Sequence, residues 1–180
     1  MGKSILVISS SLRVTSNSAI LAHEIVRGAL DAGNDAEFLS LAEKDLNFCT
    51  GCMACQKTHR CVINDDATLI AEKVQCADVL VFVSPIYYYE MSGQLKTMLD
   101  RMNPLYGSDY RFRDVYFVCT AADDDETTPD RAVSGIEGWI ACFDKATFRG
   151  KLFCGGVNEP GEIMSRSKCM EKAYLLGSRL

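Results

Sequence analysis

Hydrophobic residues along this chain gather into short runs separated by longer, periodic stretches. Residues 5–8 (Ile-Leu-Val-Ile), 78–83 and 115–119 are apolar at nearly every position, 151–154 is a shorter run, and 36–41 is a weaker one. Consecutive rather than alternate apolar positions mark strands covered on both faces, as in a parallel sheet. Between these runs the period lengthens. Leu21, Ile25 and Ala29 share one face of a helix that Asn17 or Ser18 can cap, and Ile70 and Val74 follow a cap at Asp65 or Asp66. After Ser92, the residues Leu95, Met98, Leu99 and Met102 keep the i, i+3, i+4, i+7 rule. A fourth helix is expected over 130–143, and Cys169, Ala173, Leu176 and Leu180 form the stripe of a last one. This alternation predicts an α/β fold: a doubly wound, five-stranded parallel sheet with helices on both faces. No internal repeat or low-complexity linker interrupts it, so one domain is expected over 1–180. The single oversized connection, 41–77, carries a cysteine-rich loop at about 47–66.

Composition narrows the function classes. A net charge of -5 over 180 residues, with no basic window, argues against a nucleic-acid surface, which needs cations to displace phosphate counterions. The amino-terminal apolar run is too short for a signal peptide and no run approaches a membrane span, so a cytoplasmic protein with no membrane partner is expected. In a reducing compartment, nine cysteines do not suggest a disulfide framework. Five of them (Cys76, Cys119, Cys142, Cys154, Cys169) stand alone in apolar stretches and read as small buried hydrophobes. The other four, Cys49, Cys52, Cys55 and Cys61, fall within thirteen residues at C-x2-C-x2-C-x5-C spacing. Such a loop can turn every sulfur toward one centre, for metal binding or for thiol chemistry.

In a doubly wound sheet, ligands bind beyond the carboxyl ends of the strands, where strand order reverses. After strand one comes Ser9-Ser-Ser-Leu-Arg-Val-Thr-Ser-Asn-Ser18, rich in hydroxyls and leading into a helix whose free N–H groups suit a phosphate. After strand three, which Pro85 is expected to end, comes Ser84-Pro-Ile-Tyr-Tyr-Tyr-Glu-Met-Ser-Gly93. Three consecutive aromatics on that loop suit a flat ligand. After strand four, Thr120, Ala121 and Ala122 are small enough for a planar ring to approach the backbone, while Asp123, Asp124 and Asp125 read as a solvated loop. No Ser/His/Asp or paired-carboxylate arrangement is visible, and neither His23 nor His59 reads as a general base. Any catalysis is therefore expected to rest on a cofactor rather than on a catalytic side chain.

These segments resemble a known family. The hydroxyl-rich loop with Arg13 and Asn17, the stretch from Ser84 to Lys96 with Asp100-Arg101, and Gly155-Gly-Val-Asn-Glu-Pro-Gly161 are similar to the flavodoxin-like NAD(P)H-dependent FMN reductases. The cysteine loop followed by Asp65-Asp66 resembles the family's iron–sulfur flavoprotein branch. The resemblance implies strand order 2-1-3-4-5, FMN as cofactor and NAD(P)H as co-substrate. It places the FMN phosphate on Ser11, Arg13, Ser16, Asn17 and Ser18, with Ser9 at the head of that loop. Pro85, Ile86, Tyr87 and Tyr88 would lie along the isoalloxazine, with Tyr89 and Met91 on the same loop and Thr120, Ala121 and Ala122 at the other edge. One departure stands out: where the family has Gly-Ser-Pro-Arg after strand one, this chain reads Ser10-Ser-Leu-Arg13.

The resemblance also implies a [4Fe–4S] cluster on Cys49, Cys52, Cys55 and Cys61. The spacing alone leaves structural zinc, a redox dithiol or an empty loop open. The activity implied is transfer of electrons from NAD(P)H through FMN to a small-molecule or redox-protein acceptor such as free flavin, quinone, iron or a bound cluster. The alternative is an electron-transfer protein exchanging electrons with a ferredoxin without NAD(P)H, and a flavodoxin-like binding module without flavin is a third. A homodimer or homotetramer is expected, since one sheet edge seldom encloses both flavin and nicotinamide.

Overall fold

The apolar runs form one parallel sheet of strands β1 (Ser4–Ser9), β2 (Asp35–Ser40), β3 (Val79–Tyr87), β5 (Asp114–Thr120) and β6 (Thr147–Cys154) in the order β2-β1-β3-β5-β6. A two-residue strand, β4 (Glu90–Met91), pairs antiparallel with the end of β3. With that hairpin set aside, the order is the expected 2-1-3-4-5. The structure, a computed structural model, describes residues 2–180, so Met1 of the amino-terminal segment lies outside the described residues.

Helices cover both faces, and the period of two decides which residue meets which. Leu6, Ile8, Leu80, Phe82, Val115 and Phe117 face a core built with α3 (Ala67–Cys76), α4 (Gly93–Asp100) and α5 (Asp130–Ile140). Their neighbours Ile5, Val7, Val79, Val81, Val83 and Val118 face the opposite core, built with α1 (Asn17–Asp31) and α6 (Ser167–Gly177). Successive side chains point to opposite faces, so a strand buried on both must be apolar throughout. Helices α1 and α6 cross so closely that a Cβ on Gly28 would overlap the Tyr174 carbonyl oxygen, and one on Gly177 the Ile25 carbonyl oxygen.

Pro85 does not end β3, as the sequence suggests. The strand runs on to Tyr87, and Pro85 pairs with Thr120 of β5. On the other flank β1 stops at Ser9, opposite Val83, so beyond that point β3 is an edge where a residue without an N–H is tolerated. The last two helices are shorter than their patterns: Phe143 and Leu180 lie past the ends of α5 and α6, yet both are buried. Within the cysteine loop, α2 (Cys55–Thr58) is a single turn that the sequence does not announce. Of the lone cysteines, Cys119 and Cys154 are buried as expected, whereas Cys76 and Cys142 are exposed, at the end of α3 and in the turn after α5. Burial pushes the Cys119 thiol up to about 12, which leaves it inert.

Candidate functional site

The carboxyl ends of β1, β3, β5 and β6 open into one cleft. Its lining brings together Ser11, Arg13, Ser16, Asn17 and Ser18 from the first loop, Pro85, Ile86 and Tyr87 from the end of β3, and Thr120, Ala121 and Ala122 from the end of β5. Val157 and Asn158 complete it. Neither of these two is among the residues expected from the sequence, although the Gly155–Gly161 segment that carries them follows a strand end like the other three. Ser9, Tyr88, Tyr89 and Met91 lie outside the lining: Ser9 and Met91 are buried, Met91 within the core, and Tyr88 and Tyr89 are exposed.

Hydroxyl groups fasten the cleft from below. Buried Ser92 caps α4 by accepting from the Leu95 N–H at 3.3 Å and donates to Ser10 Oγ at 2.8 Å. Ser10 donates to the Val83 carbonyl, and the Ser92 N–H donates to Ser84 Oγ at 3.0 Å. The ends of β1 and β3 and the start of α4 are thus one hydrogen-bonded unit. Ser16 is the N-cap of α1, accepting from the Ala19 N–H at 3.2 Å, with Ser18 Oγ 3.0 Å away. The preceding Thr15 has φ 57°, an uncommon conformation for a β-branched residue and one found where a loop is shaped around a ligand. Asn17 ties this loop to the segment after β6, donating to the Glu159 carbonyl at 2.9 Å and accepting from the Ile163 N–H at 3.1 Å. Arg13 donates to the Asn158 carbonyl at 2.7 Å, which holds its guanidinium at the rim. Glu162 accepts the N–H groups of Asn158 and Glu159, and these bonds hold its carboxyl below the usual range.

The three tyrosines do not form a loop of equal members. Tyr87 pairs with Glu90, leaving Tyr88 and Tyr89 as a two-residue hairpin turn with φ 51° and 66°. Positive φ at both positions is the type I′ pattern, which favours Asn-Gly and strains a residue with a bulky side chain. Tyr88 is 97% exposed, while the Arg131 guanidinium lies 5.7 Å from the Tyr89 ring centre. Replacing Tyr88-Tyr89 by Asn-Gly is expected to stabilise the chain by about 1–2 kcal/mol. Thermal unfolding checks this; a lowered Tm would show that the aromatic contacts outweigh the strain.

The four-cysteine loop does not draw its sulfurs together as the spacing suggests. Cys49 and Cys52 are exposed, Cys55 is buried at the start of α2, and Cys61 is half-buried. Among the described residues, no three His, Cys, Asp or Glu side chains are gathered as a metal site. The loop is instead wound around Arg101, just past α4. Arg101 Nη1 and Nη2 donate to the two Asp65 carboxylate oxygens at 2.6 and 2.8 Å, and both side chains are 0% exposed. Burial pushes the Asp65 carboxyl up, but the Arg101 guanidinium and the N–H groups of Asn47 and Ala67 outweigh it and hold the carboxyl well below its usual range.

Comparison with known proteins agrees with this geometry. Residues 4–129 match the family of NADPH-dependent FMN reductases. An iron–sulfur flavoprotein of Methanocaldococcus jannaschii is 40% identical over 98 residues, covering 54% of this chain and 51% of that protein. The chain thus spans about half the length of such relatives. A Bacillus subtilis protein named as an NAD(P)H-dependent FMN-containing oxidoreductase, YwqN, is 26% identical and aligns over 97% of each chain. In fold, an NAD(P)H:quinone oxidoreductase from Methanothermobacter marburgensis superposes with a TM-score of 0.79 at 17% identity, over 99% of this chain and 96% of that one. The matched segment includes three of the four strand ends that line the cleft, and the chain belongs to the NADPH-dependent FMN reductase family.

Proposed function

We propose that the chain is an FMN-dependent oxidoreductase that takes electrons from NAD(P)H and passes them to an acceptor such as free flavin, a quinone or iron. The observation that carries this is the cleft itself, whose lining pairs an anion cradle with a flat, small-residue slot and contains no His, Cys, Asp or Glu. Such a lining can bind and orient a ring but offers no carboxylate, imidazole or thiol for proton or group transfer, so the chemistry falls to a cofactor.

FMN fits these residues. The hydroxyls of Ser11, Ser16 and Ser18 and the first N–H groups of α1 would receive the phosphate, with Arg13 adding charge. Asn17 would keep the loop shaped through its bonds to the segment after β6. Pro85, Ile86 and Tyr87 would line one side of the ring and Thr120, Ala121 and Ala122 the other, where short side chains let backbone groups meet its polar edge. Bound there, FMN supplies hydride acceptance and electron transfer that the side chains lack. Tyr88 and Tyr89 stand exposed at the hairpin tip next to Tyr87, outside this lining.

A homodimer or homotetramer is part of the reading. Leu12, Val14, Phe48 and Tyr88 are exposed apolar residues on loops near the cleft, and a second copy would cover them. A cytosolic setting belongs to the same reading, on the composition of the chain. Among the described residues no helix is long and apolar enough to cross a membrane.

The test is anaerobic mixing of the purified chain with NADH or NADPH. Rapid bleaching of FMN absorbance is expected, and a colourless chain that refuses added FMN would overturn the assignment. The four cysteines and the iron–sulfur flavoprotein relatives favour one second reading: an electron-transfer protein with a [4Fe–4S] cluster on Cys49, Cys52, Cys55 and Cys61. Bleaching by reduced ferredoxin alone, and by neither nicotinamide, would select it.

A further inference from the structure

Two side chains just past the end of α4 reach into the cysteine loop and touch sulfur. Arg101 Nη2 lies 3.4 Å from Cys61 Sγ, and Asn103 Nδ2 lies 3.1 Å from Cys55 Sγ. Arg101 is locked by its bidentate bond to Asp65 and by the Asn47 carbonyl at 2.6 Å, and Asn103 opens the 3-10 turn Asn103–Leu105. Cys49 and Cys52 are exposed, and no side-chain donor reaches either sulfur among the described residues. The motif therefore has a held half, Cys55 and Cys61, and a free half.

An N–H donor aimed at sulfur has a definite chemical consequence. A thiolate accepts a hydrogen bond far better than a thiol, and every sulfur that ligates a metal is a thiolate. Partners of this kind orient ligands and hold their charge, and their loss commonly weakens metal binding by about 10–100-fold. The four thiols have the donor chemistry for a soft metal ion or an iron–sulfur cluster, although they do not converge. We propose that Asn103 and Arg101 are positioning residues that set Cys55 and Cys61 as the preformed half of a thiolate site, against which Cys49 and Cys52 close when metal is captured. This rests on the metal-binding reading of the cysteine loop and is independent of the flavin cleft, which shares no residue with it.

The experiment loads the reduced, FMN-containing chain in two anaerobic arms. One titrates cobalt(II), whose sulfur-to-metal absorption reports thiolate ligation; the other supplies ferrous iron with sulfide, and iron, sulfide and the visible spectrum are measured. A cobalt band without cluster formation identifies a single-ion site, and brown cluster absorbance identifies an iron–sulfur site. In whichever arm loads, Asn103→Leu is expected to weaken uptake about 10–100-fold, with FMN retention and the unfolding curve unchanged. Asn103→Gln, which keeps an amide donor, is expected to recover part of the loss. Because Arg101 variants risk unfolding the loop, Asn103 carries the decision. Uptake by Asn103→Leu equal to that of the parent chain overturns the proposal, and so does a parent chain that loads in neither arm. The second result leaves retained FMN, and with it the flavin assignment, intact.

Discussion

Replacing Arg101 by Met is expected to destabilise the chain by about 3–5 kcal/mol, the range for breaking a buried ion pair from one side. Both side chains of the Arg101–Asp65 pair are fully buried, and one guanidinium binds Asp65 through two oxygens as well as the Asn47 carbonyl. Removing it strands the Asp65 carboxylate, whose remaining bonds come from Asn47 and Ala67. Urea unfolding at neutral pH measures the loss as a lowered midpoint with an unchanged slope. Arg101→Met combined with Asp65→Leu should regain much of it, since apolar groups of similar volume can replace a buried pair at little cost. A double variant no more stable than the single one would show that Arg101 matters by shape rather than charge.

The pair also fixes a pH dependence. The Asp65 carboxyl is held below its ordinary value in the folded chain, so its contribution is complete above about pH 5 and is lost as pH falls through the carboxylate range and below. Arg101 is shifted upward, chiefly by its bond to Asp65, and stays charged throughout. Stability of the parent chain should therefore fall on acidification more steeply than that of the Asp65→Asn variant.

Ser16→Asp is expected to abolish FMN retention while leaving the fold intact. Asp caps a helix as well as Ser does, and its charge favours a helix N-terminus, so α1 keeps its start. The same carboxylate would stand where the phosphate is proposed to bind. Two like charges about 4 Å apart in a partly screened site repel by about 4 kcal/mol, roughly a 1,000-fold loss of affinity. Ser16→Ala is the control: it removes the cap, costs about 1 kcal/mol of stability and adds no charge. Flavin fluorescence during dialysis separates the two variants. If the Asp variant retains FMN, the phosphate does not lie at the start of α1.

The sheet and both its faces could be read from the chain because burial on two sides demands apolar residues at every strand position, a demand that acts locally and leaves a local trace at 5–8, 78–83 and 115–119. The first loop was legible for a similar reason: hydroxyls before a capped helix have a recognisable chemistry wherever they occur. Val157 and Asn158 follow a strand end like the other three loops, but an apolar side chain and an amide carry no chemical mark; the Val157 N–H on the Ala121 carbonyl and the Arg13 guanidinium on the Asn158 carbonyl bring them to the cleft. Tyr88 and Tyr89 also differ from Tyr87 only through pairing, because β4 turns back on β3 and puts both at positive φ.

Spacing alone showed that the cysteine loop holds four soft donors. It could not show that two of their sulfurs face N–H groups while two face water. That division depends on Asn103 and on Arg101, which looks like any surface cation after a helix until Asp65 is folded over it. Composition and period are written along the chain, whereas the partner of a buried charge is known only once distant segments meet.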